Sequence, residues 1–298
     1  MTEEMRKKIG ERIRIARTTW AERHQKNEKL NQDKLGEKLG VSFQAVSSWE
    51  RGEFVPDPEH LSALSDALDL SLNALFAEQD PGWKLKSVNY DPERMYTFVK
   101  GRAQAGGLKQ TLAALPVMRE KHRKTEKKRW SHYGFETEYE AHPLTLACHA
   151  LALGIRDDDV LAACLLHDVV EDTGTTPEEL KELIPELSER TLKTVRLVSK
   201  NLYDQGDPDW EKKYYENIRA NPPACLVKIL DRVNNVAGMA DAFGRKWMIR
   251  YLEETDRYYP ALLDVVKKEP EWNNAWWLLR YQLLTTKEAY KRLLCGRC

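Results

Sequence analysis

Apolar positions recur along this chain at intervals of three and four residues, the spacing that puts side chains on one face of a helix. Ile9, Ile13 and Ala16 form one such stripe, Leu35 and Leu39 a second, Val46 and Trp49 a third, and Leu61, Leu64 and Leu68 a fourth. Further on, Leu161, Cys164, Leu165 and Val169 make a denser apolar run, as do Val227, Ile229 and Leu230. Runs of that density suit helices inside a core. No β-type alternation exceeds four residues. Glycine and proline, 15 and 13 in number, fall between the periodic segments. The pattern predicts an all-α protein.

The helices group into two units. Residues 1–78 read as a small five-helix domain and residues 107–298 as a larger helical domain. The stretch 79–106 carries Pro81 and Pro92, runs into the Gly106-Gly107 pair and lacks a clear amphipathic period. It reads as a linker with a short helix near 92–101.

Charge and composition narrow the field. The 47 basic residues balance 47 acidic ones, which excludes a chain that is a polycation throughout. No run of 18 apolar residues exists, so no transmembrane helix and no membrane partner are expected. The first 20 residues lack the apolar core of a signal peptide. Five cysteines (148, 164, 225, 295 and 298), of which Cys295 and Cys298 alone are spaced as CxxC and lack the further ligands a zinc site needs, read as reduced thiols of a cytoplasmic protein.

Residues 30–51 read LNQDKLGEKLGVSFQAVSSWER. Asn31 can cap a helix from Gln32 to Leu39, and Gly40 can end it in the left-handed conformation. Ser42 then caps a helix over Phe43–Arg51, with Leu35, Leu39, Val41, Val46 and Trp49 packed between the two. Two helices joined by a tight glycine turn make a helix-turn-helix. Gln32, Leu35, Gly40-Val41-Ser42, Val46, Trp49-Glu50-Arg51-Gly52, Pro56 and Leu72 resemble the lambda-repressor/Cro-like (Xre) family over about a quarter of the chain. The stretch WAERHQKNEKLN is longer than the family usually has there. The resemblance implies operator DNA as a partner, with Gln32 on a phosphate and Ser42, Phe43, Gln44 and Ser47 facing the major groove. Gln44 has the chemistry to read adenine. A homodimer on two half-sites follows from the same likeness. The alternative is a protein-binding module: no Lys or Arg precedes Arg51 in the second helix, and residues 1–77 hold 12 basic against 13 acidic residues.

Residues 139–173 read YEAHPLTLACHALALGIRDDDVLAACLLHDVVEDT, and 226–236 read LVKILDRVNNV. His142-Pro143 is expected to open a helix, with proline at its first position. Asp157 or Asp158 caps a second helix running through His167 to Asp172. His167 and Glu171 are four apart, as are Asp168 and Asp172, and Asp231 and Asn235, so each pair stacks on one helical face. Charged groups among so many apolar neighbours are costly to bury unpaired. A divalent ion resolves the cost, and imidazoles with carboxylates suit Mn, Fe or Zn.

The string HP…LLHDVVEDT…VKILDRVNN resembles the HD phosphohydrolase superfamily. Within it, the likeness is to the hydrolase domain of alarmone synthetase/hydrolases and small alarmone hydrolases, and covers roughly residues 108–260. It implies an HD-domain fold and a Mn2+-dependent removal of the 3′-pyrophosphate of (p)ppGpp. It puts metal ligands at His142, His167, Asp168 and Asp231, the pair that orients the attacking water at Glu171 and Asp172, and a nucleotide contact at Asn235. A phosphate-facing cation falls among Lys127, Lys128 and Arg129, and Lys228 also faces the nucleotide. Residues 119–130 hold seven basic and two acidic residues, a run that otherwise reads as a solvated helix face. Only 39 residues follow Tyr259, too few for a synthetase domain, so the expectation is degradation of the alarmone.

Several features carry blander readings. His149 shares a face with His142 and reads as structural. His24, His60, His122 and His132 lack ligand-spaced partners, although His122 matches a family position. Trp276, Trp277 and Tyr281 in WNNAWWLLRY read as core or dimer packing, with nucleotide stacking as the alternative. Two other functions stay open. One is a transcriptional regulator that senses a nucleotide through the HD domain. The other is an HD phosphatase for a different nucleotide such as NADPH.

Overall fold

A computed structural model describes residues 2–23, 29–68, 75, 91–125, 128–130 and 136–295. Among them the protein is helical, apart from two three-residue strands, β1 (Lys128–Trp130) and β2 (Glu136–Glu138), that pair with each other. His24, Leu72, Lys127, His132 and Cys298 lie outside the described residues, as do the side chains of Lys128, Arg129 and Cys295. No described helix is long and apolar enough to cross a membrane.

The described residues divide into two compact units: one within Met1–Lys84, Arg129–Thr137 and Gly238–Tyr251, the other within Leu85–Lys128, Glu138–Ala237 and Leu252–Cys298. The expected boundaries at 78 and 107 differ from this division. Residues 238–251 group with the first unit, where Lys246 Nζ lies 3.6 Å from Asp66.

In the first unit, α1 (Glu3–Thr18) and a four-residue α2 (Trp20–Arg23) precede α3 (Gln32–Leu39), α4 (Phe43–Glu50) and α5 (Pro58–Leu68). The caps are those the side chains dictate. Asn31 accepts from Lys34 N at 2.8 Å, and Ser42 accepts from Ala45 N at 3.3 Å. Gly40 ends α3 at φ 69°. Gly36 has no room for a side chain: a Cβ there would meet the Val41 carbonyl at 2.6 Å. Ile9, Ile13, Leu35, Val46, Leu64, Leu68 and Leu75 fill the core, with Trp49 at its edge. One charged cluster is buried with them. Glu50 accepts from Arg17 at 2.5 and 3.0 Å and from Gln32 Nε2 at 2.6 Å, while Arg17 also reaches the Leu30 carbonyl at 3.0 Å.

The second unit opens earlier than expected. Residues 92–106 form a full helix, α6 (Pro92–Gly106), in place of the expected linker with a short helix. Pro92 starts it behind the Asp91 cap, Gly107 ends it at φ 65°, and Val99 and Ala103 are buried. The proline and the glycine are thus start and stop signals, as their backbone preferences favour. Then come α7 (Lys109–Lys124), α8 (Ala141–Ala152) and α9 (Asp158–Leu166). Seven consecutive residues of α9, Val160 to Leu166, are buried. Asp157 caps α9 itself. Asp158 instead caps α7, accepting from the backbone N–H groups of Gln110 and Thr111 at 2.9 Å each. The chain continues through α10 (Val169–Thr173), α11 (Pro177–Leu183), α12 (Glu189–Val198), α13 (Trp210–Arg219), α14 (Pro222–Ala242), α15 (Arg245–Val266) and α16 (Asn273–Cys295). On α16 the core residues are Ala275, Leu279 and Leu283. Trp277 and Tyr281 are 58% and 65% exposed, so the expectation of core packing fails for them: they fall on the opposite face of the turn.

Candidate metal centre

His142 is the second residue of α8, with Pro143 third in the helix, not first. The expected single helix through His167–Asp172 is broken. It ends at Leu166, and α10 starts at Val169 with Asp168 as its N-cap residue. The Cys164 carbonyl is one of those a helix end leaves without a partner. His167 Nδ1 donates to it at 2.9 Å, which fixes the ring at the break. Asp231 lies in α14, flanked one turn away on each side by Lys228 and Asn235.

These elements bring four side chains together. His142 Nε2 is 3.2 Å from His167 Nε2, 3.5 Å from Asp168 Oδ2 and 3.2 Å from Asp231 Oδ1. His167 Nε2 is 3.2 Å from Asp168 Oδ1 and 3.9 Å from Asp231 Oδ1. Both imidazoles are almost wholly buried, and Asp231 nearly so. Each ligand-type group has an outer partner. His142 Nδ1 donates to Asn234 Oδ1 at 2.8 Å. Asp231 accepts from Lys228 Nζ at 2.8 Å and from Asn235 Nδ2 at 2.6 Å. Asp168 Oδ2 accepts from the Tyr139 hydroxyl at 2.7 Å.

The protons decide what fits between them. With both Nδ1 atoms donating outward, the two Nε2 lone pairs face each other and two carboxylates. Such a set of acceptors draws in positive charge. Burial lowers the pKa of His167, yet the charge and hydrogen bond of Asp168, with Asp231 behind, carry it up to about 9. Burial raises Asp168, but the imidazoles outweigh it and hold it below the ordinary carboxylate range. Asp231 is likewise held down against burial, first by Lys228 and then by His142. His142, His167 and Asp168 could hold a metal ion, and Asp231 presents an oxygen at the same point. Ligands about 2 Å from one ion lie roughly 3 Å apart, close to the separations found here. Two neutral imidazoles fixed through Nδ1 and two carboxylates therefore fit a divalent cation.

Glu171 and Asp172 follow on α10, where Asp172 N donates to the Asp168 carbonyl at 2.8 Å. Glu171 reaches solvent, but the surrounding protein and then the Asp168 charge raise its pKa above the ordinary value. Its Oε2 accepts from Lys200 N at 3.0 Å. Behind this wall lies a buried ion network. Arg232 NH2 pairs with Glu254 at 2.9 Å, Lys200 Nζ lies 3.5 Å from the same carboxylate, and the Tyr215 hydroxyl donates to it.

Part of the basic run is spent inside the protein. Arg119 and Arg123 pair with the buried Glu140 at 3.0 and 3.1 Å, and Lys124 pairs with Glu120. His149 is half-buried and outside the metal cluster. The residues that sequence reasoning passed over are Tyr139, Asn234, Lys200, Arg232 and Glu254. Asn234 was legible in principle, since it lies one turn beyond Leu230 on the helix of Asp231; the others meet the site only across the fold.

In the first unit, Ser42, Phe43 and Gln44 are exposed at the start of α4. Ser47 is half-buried and accepts from Arg51 NH1 at 2.5 Å. Gln32 commits one amide N–H to Glu50, a tie that its expected phosphate contact did not foresee.

Comparison with known proteins matches these two regions separately. A helix-turn-helix family model matches residues 26–75, and an HD domain model matches residues 139–236. Human guanosine-3′,5′-bis(diphosphate) 3′-pyrophosphohydrolase MESH1 is 34% identical over 135 residues, covering 44% of this chain and 70% of its own length. The Aquifex aeolicus guanosine-3′,5′-bis(diphosphate) 3′-pyrophosphohydrolase is 35% identical over 98 residues, 33% of this chain but only 14% of that protein. Repressor protein C2 of Salmonella phage P22 is 46% identical over 63 residues, 21% of this chain and 26% of the repressor. The chain belongs to the HD-domain phosphohydrolase family and carries an Xre-like helix-turn-helix domain ahead of the HD domain.

Proposed function

We propose that this chain is a divalent-metal-dependent nucleotide phosphohydrolase that releases pyrophosphate from the 3′ position of (p)ppGpp, and that its helix-turn-helix head binds operator DNA. The observation that carries the reading is the convergence of His142, His167, Asp168 and Asp231, with both imidazoles held through Nδ1 so that Nε2 faces the common point. The activity for which MESH1 and the Aquifex enzyme are named supports the choice of substrate.

A bound divalent ion, Mn2+ in this reading, supplies Lewis acidity toward a phosphoryl oxygen and acidifies water. Glu171 takes the proton of the attacking water, with Asp172 as its partner in orienting it. A carboxyl whose pKa is raised is a better base near neutral pH than an ordinary one, because it holds the proton it takes. The same shift makes activity fall on the acid side from a higher pH than an unperturbed glutamate would give. Asn235, fixed by its bond to Asp231, presents the rest of its amide to the nucleotide. Lys228 and the cations at 127–129 balance the phosphate charge.

The test is pyrophosphate release from ppGpp by the purified chain with Mn2+, beside Asp168→Ala and a panel that includes NADPH. Release from ppGpp that disappears in the variant is the expected result. Metal binding without release from ppGpp overturns the substrate. For the head, a sequence-selective mobility shift with duplex DNA is expected, and its absence at low salt overturns the DNA assignment.

A further inference from the structure

We propose that Tyr139 is a positioning residue of the metal centre, acting through Asp168; the inference rests on the metal reading given above. Asp168 stands at the N-cap of α10, where an aspartate ordinarily accepts from the first N–H groups of the helix. Here its carboxylate makes no such bond. Oδ2 accepts from the Tyr139 hydroxyl at 2.7 Å, and Oδ1 stays 3.2 Å from His167 Nε2. The backbone at Asp168 is helical (φ −96°, ψ −10°) and not extended as at a capping residue, which leaves the carboxylate to the site, and the Tyr139 hydroxyl holds it there.

Tyr139 grips a second ligand segment as well, since its carbonyl accepts from His142 N at 3.0 Å. Its ring is itself held, with the buried His122 ring of α7 at 5.0 Å and the His142 ring at 6.0 Å. One residue therefore ties the start of α8 to the break between α9 and α10. Without this bond, only the contacts with the two imidazoles would orient the carboxylate. Outer partners of this kind typically change metal affinity by about 10–100-fold.

Tyr139→Phe keeps the ring and removes only the hydroxyl. Mn2+ alone is titrated into the metal-free full chain by calorimetry. The expected result is an affinity about 10–100-fold lower than wild type, with thermal unfolding of the metal-free protein unchanged. Pyrophosphate release by the variant should recover toward the wild-type kcat as Mn2+ is raised, a rescue that a merely structural defect would not give. Should the phenylalanine variant unfold, 4-aminophenylalanine at position 139 restores a ring with a donor and should bind Mn2+ nearly as wild type does; binding lost there as well overturns the proposal. A folded Tyr139→Phe variant with wild-type affinity overturns this inference alone. A wild-type chain that binds no Mn2+ overturns the metal reading with it.

Discussion

Each unit buries charge, and the two do so in opposite ways. Around Glu50 every charge meets its complement: Arg17 gives two hydrogen bonds to the carboxylate, and Gln32 adds a third. That cluster is closed, so it stabilises one arrangement of α1, α3 and α4 and asks for nothing more. Around Asp168 and Asp231 the inward-facing atoms are acceptors, and their partners sit on the outside: donors from Tyr139, Lys228 and Asn235 on the carboxylates, and the Asn234 oxygen that takes the outward N–H of His142. The difference teaches how to separate architecture from a binding site when both are buried and polar. A satisfied network is structure; a ring of acceptors pointing at one place needs a cation to be complete.

The comparison can be broken most sharply at Arg17. Arg17→Ala leaves the Glu50 carboxylate buried without its cation, which should lower the stability of the first unit by about 3–5 kcal/mol. Urea unfolding followed by tryptophan fluorescence checks it, and Mn2+ affinity should not change. If Mn2+ binding falls as well, the two clusters are not independent. A smaller effect is expected at Asn234. Asn234→Ala removes the acceptor that fixes the His142 tautomer, and calorimetry should show Mn2+ affinity reduced by about 10–100-fold while the metal-free fold melts as before. The smallest effect concerns Glu254, a closed network within the second unit. Burial raises its pKa, but Arg232 and then Lys200 carry it down to about 2, below the ordinary 4.5. The stability it contributes is therefore full above pH 4.5 and lost as the pH falls toward 2. Glu254→Gln should flatten the dependence of unfolding midpoint on pH across that window; an unchanged slope would remove the network from the account.

Much of this was legible in local sequence. The Asn31 and Ser42 caps, the left-handed Gly40 and the apolar pairs Leu35/Leu39 and Val46/Trp49 depend on residues at most four positions apart, and such short-range rules survive folding. Local rules also misled. Pro92 and Gly106-Gly107 looked like linker residues until Val99 and Ala103 were seen to be buried between them. The helix expected through His167–Asp172 failed because the His167 ring satisfies the Cys164 carbonyl and lets the helix stop.

By itself the sequence determined the all-α class and the helix-turn-helix, because periodicity and capping are properties of neighbouring residues, and the likeness of HP…LLHDVVEDT…VKILDRVNN to HD phosphohydrolases pointed to the histidines and carboxylates of the second unit. The tertiary structure alone decided which way those side chains face. Tyr139 meets Asp168 across 29 positions, His142 meets Asn234 across 92, and Gln32 turns inward to Glu50 across 18. Such bonds join residues with no local relation, and they form only once packing has fixed the distance and taken competing water away.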